Sequence, residues 1–120
     1  MSGLDGEVAL VTGGGRGFGR AICEALARGG AAVGVVARSR EQIDEVVAAI
    51  EGAGGKALAV PCDVTDKAQV AETVAAVERR FGPITFLVNN AGIAGPYGPV
   101  AETDPDAWWN AQKVHLYAPL

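Results

Sequence analysis

An apolar strand, a glycine-rich turn and a helix follow one another without a spacer near the start of this chain. The strand is Val8-Ala9-Leu10-Val11, residues 12–19 read T-G-G-G-R-G-F-G, and a helical segment, Ala21–Leu26, comes directly afterwards. Glycines let backbone N–H groups approach a ligand closely, and a helix N-terminus carries about half a positive charge. Together these features predict a site for the pyrophosphate of a dinucleotide.

The glycine spacing is T-G-x-x-x-G-x-G, with Gly13, Gly17 and Gly19 at the fixed positions. It does not match the literal G-x-G-x-x-G pattern, because Phe18 stands where the third glycine would fall. We expect the three glycines to hold the pyrophosphate together with Phe18, which would contribute its backbone N–H.

Strands and helices alternate along the rest of the chain. Apolar runs typical of strands begin near Glu7, Ala31, Ala57 and Ile84, helical spacing covers residues 21–28, 40–53 and 66–81, and a fourth helix opens at Asp104-Pro105. Ser39 is the expected N-cap of the second helix, with Gln42 completing a capping box. Helices alternating with continuously apolar strands predict an α/β fold with a doubly wound parallel sheet of strand order 3-2-1-4.

The composition argues against several classes of protein. Apolar residues make up 49% of the 120-residue chain, which is too much for a disordered protein. No apolar run approaches the roughly 18 residues of a membrane helix, and the N-terminus does not resemble a signal peptide. The net charge of −4 without a basic run argues against nucleic acid as a partner. We therefore expect a cytoplasmic protein that binds neither membranes nor nucleic acid.

The two cysteines have no metal-ligand spacing, so no metal site is predicted. Cys23 lies on the same helical stripe as Ile22 and Leu26, and we expect it to be buried. Cys62 adjoins the end of a strand and could be reachable from solvent.

Apolar patterning continues to Leu120, and the predicted strand order would leave one edge of the fourth strand open. An open apolar edge promotes aggregation unless another strand covers it. We therefore expect residues 1–120 to be the N-terminal part of one larger domain, and the isolated chain to self-associate.

The second predicted strand is followed by Ala37-Arg38-Ser39-Arg40, with no acidic residue before Glu41. NAD sites usually place a carboxylate here to hold the ribose 2′-hydroxyl, whereas a guanidinium can bind a 2′-phosphate. Arg38 is therefore a candidate ligand of a 2′-phosphate, and Arg16 in the glycine turn could reach the same group. Either arginine could instead be a solvated surface charge.

Asp63 follows the third predicted strand. Ligands of open α/β sheets bind at the carboxyl ends of the strands, so its carboxylate could accept a hydrogen bond from an adenine amino group while Val64 packs on the ring. The alternative is that Asp63 caps a helix, although Thr65 and Asp66 are better placed to do so.

The fourth predicted strand ends in Asn89-Asn90-Ala91-Gly92. A side-chain amide at Asn90 can satisfy backbone groups of neighbouring strands, and Ala91 and Gly92 would let the cofactor ribose approach the main chain. The same four residues could also form a simple turn.

In the glycine turn 12–19, Asp63 and the segment 89–92, the chain resembles the short-chain dehydrogenase/reductase family. The resemblance covers essentially the whole chain, but only about the first half of a typical member. It implies a Rossmann-type sheet, a nicotinamide cofactor and reversible hydride transfer between that cofactor and an alcohol or carbonyl substrate, commonly in a dimer or tetramer. Members with basic residues at the positions of Arg16 and Arg38 generally prefer NADP(H), and NAD(H) is the alternative.

The family's catalytic Ser and its Tyr-x-x-x-Lys pair lie further along than Leu120, and residues 1–120 contain no Tyr-x-x-x-Lys. The resemblance thus implies that this chain is catalytically incomplete. His115 aligns with a family Asn that supports a proton-relay water; its imidazole could act in the relay, or it could be a packed helix residue. A non-catalytic dinucleotide-binding or regulatory module is the alternative function.

Overall fold

The computed structural model describes residues 3–90, which form four strands and three helices in strict alternation. The elements in chain order are β1 (Val8–Thr12), α1 (Gly17–Arg28), β2 (Ala32–Ala37), α2 (Arg40–Gly52), β3 (Lys56–Pro61), α3 (Lys67–Phe81) and β4 (Phe86–Asn89). The fourth helix predicted from Asp104 lies outside the described residues.

The four strands are all parallel and lie in the order β3-β2-β1-β4, so the predicted fold is confirmed. Thr12, the last residue of β1, is in register with Val36 of β2 and Asn89 of β4. The strands consequently end together at one edge of the sheet, and the loops that leave this edge become neighbours although they are far apart in sequence.

Helices cover both faces of the sheet because successive residues of a strand point to opposite sides. In one core cluster, residues of the sheet pack against α1 and α2; its members include Val11, Val33 and Val35 of the sheet, Cys23 of α1, and Ile43, Val46 and Ile50 of α2. The other places Val8, Leu10 and Val36 with Cys62 and with Val77 of α3. The doubly wound arrangement follows from this division of the apolar residues.

The starts of α2 and α3 are fixed by side-chain caps. Ser39 Oγ accepts a hydrogen bond from the backbone N–H of Gln42 at 3.3 Å, which confirms the predicted N-cap. The capping box is only half formed, because the Gln42 side chain lies against Gly15 instead of returning to the N–H of Ser39. Asp66 caps α3 by accepting hydrogen bonds from the N–H groups of Ala68 and Gln69. This agrees with the prediction that Asp66 is better placed than Asp63 to cap the helix.

Helix α1 begins at Gly17, four residues before the helical segment predicted from sequence. The prediction was wrong because a run of glycines has low intrinsic helix propensity and resembles an extended turn. Close packing of Gly19 on the carbonyl oxygen of Gly13 in the preceding turn overrides that propensity.

Both cysteines are inside the protein. Cys23 has no exposed surface, as predicted, and burial raises the pKa of its thiol to about 12. The expectation that Cys62 is reachable from solvent was wrong, since it is only 4% exposed, and burial raises its pKa as well. Cys62 follows the end of β3, but its side chain joins the core cluster under α3.

Candidate functional site

The carboxyl ends of β1 and β4 bring the glycine turn and Asn90 into contact. The backbone N–H of Asn90 donates to Thr12 Oγ1 at 3.1 Å, and its side-chain Nδ2 donates to the carbonyl oxygen of Gly13 at 3.2 Å. Thr12 Oγ1 also donates to the carbonyl oxygen of Val88 at 3.4 Å. The predicted use of a side-chain amide to satisfy backbone groups of a neighbouring segment is thus confirmed for Asn90.

The turn needs glycine at its ends for conformational reasons. Gly13 and Gly17 have φ angles of 66° and 58°, in the left-handed region that favours glycine. The two positive φ angles bend the chain from the end of β1 into α1. Open space surrounds the position that a β-carbon on Gly17 would take, so the conformation and not crowding favours glycine there.

Gly19 is needed for a different reason, because it is buried in the first turn of α1 against the preceding turn. A β-carbon at this position would collide with the carbonyl oxygen of Gly13 and lie 2.7 Å from Asn90 Nδ2. The contact between α1 and the turn therefore depends on a missing side chain. A contact between Gly19 and a pyrophosphate stays a prediction.

The middle of the turn packs on β2 and α2. The N–H of Gly14 donates to the carbonyl oxygen of Val36 at 3.1 Å, and a β-carbon on Gly14 would lie 2.9 Å from a methyl carbon of Val35. A β-carbon on Gly15 would lie 3.1 Å from the Oε1 of Gln42. The turn is therefore supported from below by two elements and has no room for side chains there.

The N-terminus of α1 differs from those of α2 and α3 because no side chain caps it. Arg16 occupies the N-cap position with extended backbone angles and forms no capping hydrogen bond, and the first turn contains no acidic residue. The N–H groups of a first helical turn have no intrahelical acceptor, and they favour an anion through both hydrogen bonds and the helix dipole. Phe18, 84% exposed, lies in the same turn.

Arg16 within the turn and Arg38 after β2 are both exposed cations. Arg38 directly follows β2 and precedes the cap of α2, so it lies at the same edge of the sheet as the glycine turn. The ion pairs among residues 3–90 join Arg20 to Glu24 and Arg40 to Asp44, and neither involves Arg16 or Arg38.

Asp63 is half-buried at the end of β3 and orders the segment that leads into α3. Its Oδ1 accepts hydrogen bonds from the backbone N–H of Thr65 at 3.0 Å and from Thr65 Oγ1 at 2.7 Å. Since Asp66 caps α3, Asp63 is not that helix's N-cap. Val64 is half-buried and packs on the core cluster below.

The contacts of two residues in this region were not predicted from sequence: those of Thr12, which was recognised only as the start of the glycine motif, and those of Gln69. Thr12 joins β1 to β4, and the Oε1 of Gln69 accepts from the backbone N–H of Asp63 at 2.8 Å. The spacing Asp66-x-x-Gln69 is that of a capping box and could have drawn attention to Gln69. Its contact with Asp63 has no sequence signature.

Three predicted site residues, Ala91, Gly92 and His115, lie outside the described residues. Within residues 3–90 no cluster of three or more His, Cys, Asp or Glu side chains could hold a metal ion. No helix in that same part of the chain is long and apolar enough to cross a membrane.

The glycine turn lies at the carboxyl end of the first of four parallel strands, and polar residues follow the neighbouring strands. This arrangement defines an α/β protein of the Rossmann type. The sequence model of the short chain dehydrogenase family matches residues 7–120. The chain therefore belongs to the short-chain dehydrogenase family of oxidoreductases.

Individual relatives agree with this assignment. Over 118 residues the chain is 41% identical to a short chain dehydrogenase of Pseudocercospora fijiensis, a match that covers 97% of this chain and 38% of the relative. It is 47% identical over 115 residues to gluconate 5-dehydrogenase of Gluconobacter oxydans, covering 96% and 44% of the two chains. The chain thus spans less than half the length of these curated relatives.

The crystal structure of a metagenomic short-chain oxidoreductase in complex with NADP is similar to this fold. It matches with a TM-score of 0.89 at 38% identity, over 98% of this chain and 53% of that one.

Proposed function

We propose that residues 1–120 supply the cofactor-binding part of a single Rossmann domain in an NADP(H)-dependent oxidoreductase. The enzyme would transfer a hydride reversibly between the cofactor and an alcohol or carbonyl substrate, and it would assemble as a dimer or tetramer. Membership of the family and the NADP complex of a similar structure support the cofactor class. The cytoplasmic location stays a prediction.

The glycine turn fits the pyrophosphate. Gly13 and Gly17 keep the approach to the turn open, and the uncapped first turn of α1 offers backbone N–H donors, including that of Phe18. An anion bound there would take the place of the missing side-chain cap. Bound NADPH would donate the hydride, or bound NADP⁺ would accept it, while these residues would fix the position of the phosphates.

The proposed preference for NADP(H) depends on the position and charge of Arg38. It is exposed beside the turn, is free of ion pairs with residues 3–90, and has no carboxylate near it in sequence before Glu41. A 2′-phosphate would accept charge-assisted hydrogen bonds from Arg38 and Arg16, whereas the 2′-hydroxyl of NAD(H) offers no charge to either. Asp63 and Val64 would hold the adenine, and Asn90, Ala91 and Gly92 would lie near the ribose.

The test is the substitution Arg38→Asp in the complete protein, with NADPH and NADH affinities measured by calorimetry. Loss of a charge-assisted contact should weaken NADPH binding about 10- to 150-fold while NADH binding is maintained. Arg28→Asp is the matched control, because it makes the same charge change in the last turn of α1, away from the carboxyl edge of the sheet. Unchanged NADPH affinity in Arg38→Asp would remove this residue from the site.

A further inference from the structure

We propose that Gln69 is a positioning residue that holds the segment Asp63-Val64 in place for the adenine of the cofactor. The inference rests on the proposed function, because it assigns Gln69 a role at the adenine end of that same site. Gln69 itself would not touch the cofactor.

The amide of Gln69 is held in one orientation by two different partners. Its Oε1 accepts from the backbone N–H of Asp63 at 2.8 Å, and its Nε2 donates to Asp66 Oδ2 at 3.1 Å. A backbone N–H can only donate and a carboxylate can only accept, so exchanging the amide oxygen and nitrogen would break both bonds. The Gln69 side chain therefore links the cap of α3 to Asp63 in the segment that follows β3.

The backbone of Gln69 is fixed as firmly as its side chain. Its N–H donates to Asp66 Oδ1 at 3.2 Å, and its carbonyl oxygen accepts from Thr73 Oγ1 at 2.8 Å. Thr73 is itself a buried residue of α3, only 4% exposed. Helix α3 therefore fixes the acceptor of the Asp63 N–H, and through it the position of this N–H.

The other end of the segment is held by Asp63 itself, whose Oδ1 accepts from Thr65. Residues 63–65 are thus anchored at their start by Gln69 and closed by the bonds to Thr65. Without Gln69 the start of the segment would lose its acceptor, and the Asp63 carboxylate and Val64 would sample more orientations. Binding would then have to restrict these orientations, which lowers affinity.

Affinities for NADPH and for 2′,5′-ADP, which contains only the adenine end of the cofactor, test the inference in the complete protein. Loss of one neutral hydrogen bond predicts that Gln69→Ala weakens both ligands about threefold to tenfold. Gln69→Glu keeps an acceptor for Asp63 but loses the donor to Asp66, so its affinity should be intermediate. Glu72→Ala, on the exposed surface of the same helix, is the matched control and should bind like the wild type.

A double-mutant cycle with Asp63→Ala separates positioning from a general loss of stability. If Gln69 acts through Asp63, Gln69→Ala should weaken binding less in the Asp63→Ala background than in the wild type. Equal effects in both backgrounds, or a Gln69→Ala protein that binds normally, would overturn the inference and leave the proposed function intact. An Asp63→Ala protein with unchanged affinity would overturn the adenine assignment, and the inference with it.

Discussion

At the scale of single residues, Asn90 shows how a polar side chain can serve structure at the edge of a ligand site. Both of its described hydrogen bonds go to the β1 end and the glycine turn, one to Thr12 and one to Gly13. The residue was predicted from sequence because an amide at the end of a buried strand suits exposed backbone groups. Its partners depend on strand order, which brings together residues 77 and 78 positions apart.

Cys23 gives a pH dependence that belongs to one residue. Its thiol has a pKa of about 12 in the folded protein, compared with an ordinary value of 9.0. The unfolded chain therefore releases this proton at a lower pH than the folded protein does. The contribution of the protonated thiol to the free energy of unfolding is thus complete below about pH 9 and is lost as the pH rises from 9 to 12. In that interval the free energy of unfolding should fall by up to about 1.4 kcal/mol per pH unit from this group.

Urea denaturation at several pH values from roughly 9 to 11, inside this window, measures that slope. Cys23→Ala should be less stable at neutral pH because it removes a buried side chain, but its stability should decline less steeply with pH. Identical slopes for the wild type and Cys23→Ala would show that Cys23 is not the group responsible.

At the scale of elements, the start of α1 is set by its contact with the glycine turn. Gly19→Ala would place a methyl group against the carbonyl oxygen of Gly13 and beside Asn90 Nδ2, so the helix would have to move. Overpacking of this kind should destabilise the protein by about 1–3 kcal/mol. Thermal unfolding measures the change.

Gly52→Ala is the control for Gly19→Ala, because Gly52 lies in α2 with open space around the position of its β-carbon. Alanine has the higher helix propensity, so this variant should be as stable as the wild type or slightly more stable. If both variants melted alike, packing at Gly19 would not be the reason for glycine there.

The elements also show which parts of the site could be predicted. Ser39 and Asp66 were recognisable as caps, since capping uses residues adjacent in sequence. The glutamines that follow them, Gln42 and Gln69, lie against the glycine turn and Asp63 instead of completing capping boxes. These contacts are set by the packing of a helix on a distant loop, which local spacing does not encode.

At the scale of the whole molecule, the strand order was predictable because alternating apolar strands and helices permit few topologies. The burial of Cys62 was not predictable, because the residue that follows a strand can face either the core or solvent. Arg16, Arg38 and Asp63 lie near the carboxyl ends of the strands, and their contacts with a cofactor stay predictions.

Strand β4 gives a prediction for the molecule as a whole. Phe86 and Leu87 are 40% and 56% exposed, and adjacent strand residues face opposite sides of the sheet, so both faces of β4 carry apolar surface. In residues 3–90, β1 is the strand that pairs with β4. The 120-residue chain should therefore self-associate, and Leu87→Lys should reduce this association.

Sedimentation velocity over a range of concentrations measures the self-association. Ala48→Lys adds the same charge at an exposed position of α2 and controls for a general gain in solubility. A wild-type chain that sediments as one monomeric species at all concentrations would contradict the prediction.

The proposed binding of a dinucleotide at the uncapped start of α1 would link cofactor occupancy to folding. The side chains of Ser39 and Asp66 cap their own helices, whereas Arg16 provides no side-chain cap for α1. The first N–H groups of α1 can therefore be bound by a ligand. A ligand that binds only the folded state raises its stability by mass action. In the cell, the amount of folded protein would consequently follow the supply of the dinucleotide.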